Sequence, residues 1–127
     1  MKTIKQSVIF RATPEDLYEW IINPKKHAEF TGAAATNSGK VGGKFTAWNG
    51  FIDGINKKLV PGKEIVQSWH AADWKIGVYS MVSFKFKKDK AGTKLEFIQT
   101  GVPNEHYEDI KQGWYDNYWD LLKKELA

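Results

Sequence analysis

The 127-residue chain contains no cysteine and no long apolar run. Without cysteine there is no disulfide framework, no thiolate nucleophile and no cysteine-bound zinc site. No stretch approaches the roughly 18 apolar residues that a membrane span needs. The first residues, MKTIKQSVIFRATPED, also lack the uninterrupted apolar segment of a signal peptide. We therefore expect a soluble, cytoplasmic protein without a membrane span.

Motifs that would announce a reaction are also missing. The histidines His27, His70 and His106 are far apart and show no metal-ligand spacing. There is no Gly-x-Ser-x-Gly segment, and GKVGGK lacks both the spacing and the following helix of a phosphate-binding loop. Only Asp53 and Asp73 are expected near the rim of an interior cavity, where a catalytic base could be buried. We expect no metal, no cofactor and no catalytic residue, and an enzyme is the less favoured reading.

The charge is moderately basic, with a net value of +4 and a pI of about 9.2. A basic balance can attract nucleic acid or an anionic membrane. The lysines are scattered or paired, however, and acidic residues lie among them. The segment GKVG matches the G-x-x-G loop of an RNA-binding module, but it is expected to join strands, whereas that loop joins helices. We expect a solvated surface and no nucleic-acid partner.

The order of periodic segments predicts an α+β fold in one domain, residues 1–127. Residues 3–11 alternate as a strand, and TPED then predicts a capped helix that ends near Asn23-Pro24. A second short helix follows, ended by Gly32. About six strands come next, with the clearest alternation in YSMVSFKFK, and a long helix closes the chain. A bent antiparallel sheet must cover its apolar face, and only this last helix is long enough.

Aromatic residues, at 14% of the chain with six tryptophans, are abundant and concentrate in the final helix. A projection of residues 110–126 at about 100° per residue places the aromatic and aliphatic side chains over half the circumference. The centre of this stripe is predicted to be Ile110, Trp114, Tyr118 and Leu121. Tyr115 and Trp119 are predicted at its edge, and Asn104 is predicted to cap the helix.

Strand parity predicts which side chains face this helix. They form either a filled core or the wall of a cavity for a small hydrophobic molecule, in which glutamines, indole N–H groups and a tyrosine would orient the ligand. Phe30 is expected to close one end of this space, and Trp114 and Tyr118 are expected to cover it from the helix. The predicted cavity residues are Phe30, Phe45, Gln67, Trp69, Val82, Phe84, Gln99, Trp114 and Tyr118.

Three segments carry a resemblance to a known family. The chain contains GGKFTAWNGFIDG, then LVPGKEIVQSW, then QGWYDNYWDLL, in that order. It resembles homologues of the heat-shock-protein-90 ATPase activator, in particular the C-terminal domain of that activator, within the START/Bet v 1-like (SRPBCC) superfamily. The resemblance covers essentially the whole chain. It implies a helix-grip fold, in which a curved antiparallel sheet wraps around a long C-terminal helix and two short helices close one end.

The resemblance implies three functions. Relatives commonly hold an apolar cavity between sheet and helix, so we expect a non-enzymatic domain that binds a small hydrophobic ligand. The eukaryotic activator stimulates a chaperone ATPase and has an additional N-terminal domain. The alternative is therefore a protein-interaction module or co-chaperone, with an exposed partner surface near Trp74 and the lysine pairs. A second alternative is a cyclase-like enzyme. We expect a monomer or a weak homodimer.

Overall fold

The fold is built on one antiparallel sheet of seven strands, seen in a computed structural model that describes all 127 residues. The sheet order is β1-β7-β6-β5-β4-β3-β2, so the first strand lies beside the last. All pairs are antiparallel. The strands are β1 Lys2–Phe10, β2 Thr36–Asn37, β3 Lys44–Ala47, β4 Ile52–Val60, β5 Glu64–Ala71, β6 Ser80–Asp89 and β7 Gly92–Val102.

Two short helices follow β1, as predicted: α1 Pro14–Ile22 and α2 Pro24–Thr31. The Thr13 hydroxyl accepts a hydrogen bond from the amide of Asp16 at 3.1 Å, and the Asn23 side chain caps α2 in the same way. Each helix has proline at its first position, where a missing N–H costs nothing. Local sequence therefore determines both helix starts.

The C-terminal helix, residues 107–125, is the element that the sheet surrounds. It consists of α3 Tyr107–Trp114, a π-helical turn at Tyr115–Trp119, and α4 Asp120–Glu125. A 3-10 turn at Asn104–His106 precedes it. The prediction that Asn104 caps the helix is wrong, because Asn104 lies inside this turn and its side chain makes no capping hydrogen bond.

The π turn changes which residues of this helix are buried. A π turn holds an extra residue, so side chains after it are rotated relative to a regular α-helix. Trp119, predicted at the edge of the apolar stripe, is fully buried at 0% exposure. After the turn, Leu121, predicted at the centre, is only partly buried, and Leu122 is buried instead. Ile110, also predicted at the centre, precedes the π turn and is only partly buried as well. The regular projection was therefore wrong for these residues.

The core lies between the concave face of the sheet and the C-terminal helix. Alternate residues of β6 and β7 are buried, which confirms the predicted alternation of these strands. The Trp119 indole Nε1 donates to Gln6 Oε1 at 2.7 Å, so β1 is tied to the helix by a buried hydrogen bond. This is the α+β helix-grip arrangement that the sequence predicts. None of the helices combines the length and apolar character needed to cross a bilayer.

Candidate functional site

Every side chain predicted to line the interior is buried. Burial does not show that a residue binds a ligand, so their assignment to a ligand cavity stays a prediction. These residues come from α2, β3, β5, β6, β7 and the C-terminal helix: Phe30, Phe45, Gln67, Trp69, Val82, Phe84, Gln99, Trp114 and Tyr118.

Aromatic rings fill most of the space between the sheet and the helix. The ring of Trp114 lies 4.3 Å from that of Phe97, 4.5 Å from that of Tyr118, and is stacked 5.4 Å from that of Trp119. The remaining interior void is about 20 Å³, which is room for about one water molecule. Six of the predicted residues line this void: Phe45, Gln67, Trp69, Phe84, Trp114 and Tyr118.

The two buried glutamines have protein partners. Gln99 accepts a hydrogen bond from the Trp114 indole at 2.8 Å and donates to the Ser80 hydroxyl at 2.9 Å. Gln67 donates to the side-chain oxygen of Asn56 at 3.0 Å. Buried polar groups with partners fix the packing around them. Gln99 therefore holds Trp114 in place through both ends of its amide.

A larger pocket, of about 410 Å³, lies beside the C-terminal helix, and we call it the side pocket. Only three of the predicted residues, Trp69, Trp114 and Tyr118, belong to it. The turn after β3 and the start of β4 form one wall, with Phe51 exposed at 45%. The helix forms the other wall. The remaining lining residues are Trp48, Phe51, Ile52, Asp109, Ile110, Gly113 and Asn117.

Trp48 reaches the side pocket from a strained turn. Trp48 and Asn49 have φ values of 54° and 58°, in the left-handed region, and the Gly50 amide donates to the Ala47 carbonyl. These are the features of a type I′ turn, which prefers asparagine and glycine at its centre. A left-handed residue with a side chain costs roughly 1–2 kcal/mol. The turn is held by paired hydrogen bonds between Asn49 and Ala34, at 3.0 and 2.9 Å.

Two further unusual features occur in the helical wall. Gly113 lies inside α3, although glycine there costs about 1 kcal/mol relative to alanine. The π turn includes Asn117 and Tyr118, and such turns are frequent at functional sites. Positions 109, 113 and 117 recur every four residues and therefore lie on one face of the helix. This spacing and the glycine were visible in the sequence, but only the fold shows that they face Trp48.

Burial changes the acid–base properties of two rings near the helix. The pKa of the Tyr118 phenol is raised because the group is buried, and the neighbouring Trp48 side chain opposes this rise. His27 Nδ1 lies 3.0 Å from the Ile21 carbonyl oxygen, so this nitrogen carries the proton. Its Nε2 is buried without a partner. Burial lowers the pKa of His27, since the charged form would lose its hydration, and the hydrogen bond to Ile21 acts in the opposite direction.

The acids expected at a cavity rim lie elsewhere. Asp53 accepts a hydrogen bond from the Tyr79 hydroxyl at 2.8 Å, and neither Asp53 nor Asp73 lines the side pocket or the interior void. For a cavity between sheet and helix the expectation was wrong: Asp53 lines a different pocket, beside Tyr79, and Asp73 Oδ2 lies 3.9 Å from His106 Nδ1. His70 Nδ1 lies 2.6 Å from the Val78 carbonyl oxygen. No group of histidine and acidic side chains is close enough to hold a metal ion.

Trp74 does not form an exposed partner surface. Its side chain is 4% exposed and packs edge-on against Trp69 at 5.4 Å and beside His106 at 6.0 Å. The expectation of an exposed partner surface at Trp74 was therefore wrong. In the structure the ring is surrounded by those of Trp69, His70 and His106.

Residues 11–127 match the family described as Activator of Hsp90 ATPase homolog 1-like protein. The chain belongs to this family. It is 39% identical over 123 residues to an activator of 90 kDa heat shock protein ATPase homolog from Dictyostelium discoideum, covering 96% of this chain and 32% of that protein. The chain thus spans about a third of the length of the curated relatives it matches. The predicted family resemblance is confirmed.

Solved structures of the same fold include two of matching size. A crystal structure of an HSP90 activator from Plasmodium falciparum superposes with a TM-score of 0.91 at 25% identity, covering 99% of this chain and 96% of that one. A solution structure of the Aha1 dimer from Colwellia psychrerythraea has a TM-score of 0.84 at 18% identity, covering 99% and 96% of the two chains. Because the sequence identity to the Colwellia psychrerythraea structure is only 18%, this similarity establishes the fold and nothing more.

Proposed function

We propose that this domain binds an Hsp90-type chaperone and raises its ATPase activity. The observation that supports this most directly is the superposition on the Plasmodium falciparum HSP90 activator, which extends over nearly all of both chains. The crystallised chain of that activator is therefore about as large as this chain. The 39% identity to the Dictyostelium discoideum activator homolog points in the same direction.

The test is a coupled ATPase assay with a purified Hsp90 chaperone and increasing amounts of this protein. We expect ATP turnover to rise to a plateau, and the rise to disappear with an inhibitor of the chaperone's nucleotide site. The inhibitor shows that the turnover belongs to the chaperone. Unchanged turnover, together with no complex in analytical ultracentrifugation, would refute the proposal. The same sedimentation runs, without chaperone, test the predicted monomer or weak homodimer.

A second candidate function is the binding of a small apolar molecule. The side pocket supports it, because a volume of about 410 Å³ falls within the range of small-molecule sites, roughly 300–1,000 Å³. The sequence predicts a ligand deeper in the fold, between sheet and helix. The interior void of about 20 Å³ makes the side pocket the better location.

The binding test uses a neutral fluorescent probe, N-phenyl-1-naphthylamine, with tryptophan fluorescence as a second signal. We expect saturable binding, and loss of binding in Gly113→Leu, whose side chain extends from the helix into the side pocket. Gln112→Leu is the matched control, because it adds the same side chain at an exposed neighbouring position outside the pocket. Equal binding by both variants would refute this candidate.

A further inference from the structure

Five aromatic rings line the side pocket, and four of them belong to one connected cluster. Trp69 lies 5.7 Å from Trp114, Trp114 lies 4.5 Å from Tyr118, and Tyr118 lies 6.3 Å from Trp48, measured between ring centroids. Phe51 adds a fifth ring at the open side. Aromatic faces carry a negative electrostatic potential, so several rings around one space attract a cation.

The charge of the lining points to the same class of ligand. The chain has a net charge of +4 and many lysines, yet no lysine or arginine lines the side pocket. The one charged lining residue is Asp109, a carboxylate. An anionic ligand would be repelled by Asp109 and by the ring faces. A neutral apolar ligand would gain nothing from Asp109, whereas a cation would gain from both features.

We propose that the side pocket binds a small organic cation, an amine or quaternary ammonium with an apolar body. The charged group lies against the faces of Trp48, Trp69 and Trp114, and Asp109 supplies the opposite charge. The inference rests on the second candidate function, the binding of a small molecule in this pocket. It is independent of any action on a chaperone.

The experiment compares two probes of nearly equal shape, phenyltrimethylammonium and tert-butylbenzene, which differ by one positive charge. Binding is followed by NMR through the indole N–H signals of Trp48 and Trp114. Asp109→Asn is expected to weaken phenyltrimethylammonium binding about threefold, as is typical of an exposed ion pair. It should leave tert-butylbenzene binding unchanged. The control Asp116→Asn makes the same charge change on the same helix, outside the pocket, and should affect neither probe.

The outcomes separate this inference from the function on which it rests. Selective loss of cation binding in Asp109→Asn, with Asp116→Asn unchanged, supports the organic-cation site. If both probes bind and Asp109→Asn weakens neither selectively, the cation inference is overturned and the apolar-ligand pocket stands. If neither probe shifts the indole signals up to its solubility limit, both ideas are overturned. Both aspartates are exposed, so loss of folding is not expected to obscure the comparison.

Discussion

Replacing Gly113 with alanine should make the protein more stable while it reduces the side pocket. Gly113 is inside a helix and outside the left-handed region, so alanine is compatible with its backbone. A Cβ at this position would meet only the side-chain nitrogen of Asn117, at 3.5 Å, an ordinary van der Waals contact. Alanine in a helix interior is favoured over glycine by about 1 kcal/mol. No clash offsets this gain.

The expected result is an increase of about 1 kcal/mol in the free energy of unfolding, which for a domain of this size raises Tm by roughly 4 °C. Urea denaturation followed by tryptophan fluorescence measures the change, and the m value should stay the same. Binding of N-phenyl-1-naphthylamine should weaken in the same variant. A less stable Gly113→Ala protein would refute the reasoning, since the glycine would then be required by the backbone and not by the pocket.

Three other substitutions test the packing. Trp119→Phe removes the donor to Gln6 Oε1 and should lower the free energy of unfolding by about 2–4 kcal/mol. Urea denaturation measures this change. A loss below about 1 kcal/mol would contradict the role of this hydrogen bond. Gly54→Ala should prevent stable folding, because the Cβ of the alanine would lie 1.8 Å from the Ser68 carbonyl oxygen. A native circular dichroism spectrum of this variant would contradict the prediction. In the folded protein the pKa of His27 is lowered, so the unfolded chain binds a proton at this residue more readily. The contribution of His27 to stability is therefore present above the unfolded pKa of about 6.5. It is lost as the pH falls from there towards the folded pKa. His27→Gln should therefore flatten the fall in stability below about pH 6.5, and an unchanged pH profile would count against it.

Much of the fold was predictable because its signals are local. Thr13, Asn23 and Gly32 mark the ends of two helices through capping and backbone preference, and these effects depend on a few neighbouring residues. The alternation of Val82, Phe84 and Phe86 similarly reports one buried face. Such patterns remain readable without knowledge of the partner strands.

The errors concern features that depend on distant contacts. The π turn moves Trp119 from the edge of the helix to the core, where Gln6, 113 positions earlier, accepts its hydrogen bond. Sequence periodicity assumes a regular helix and cannot detect this rotation. The side pocket was missed for a related reason. Its wall at Trp48 depends on a strained turn whose partner, Ala34, lies in a separate segment.

The sheet order has a consequence for the timing of folding. Within this domain β1 precedes every other element, yet its partners come late, since β7 pairs with it from Thr93 to Val102 and Gln6 bonds to Lys111 and Trp119 of the C-terminal helix. During translation β1 must therefore remain without its neighbour until about three-quarters of this sequence has emerged. Pairings between such distant segments slow folding and leave an open strand edge exposed to other chains in the meantime.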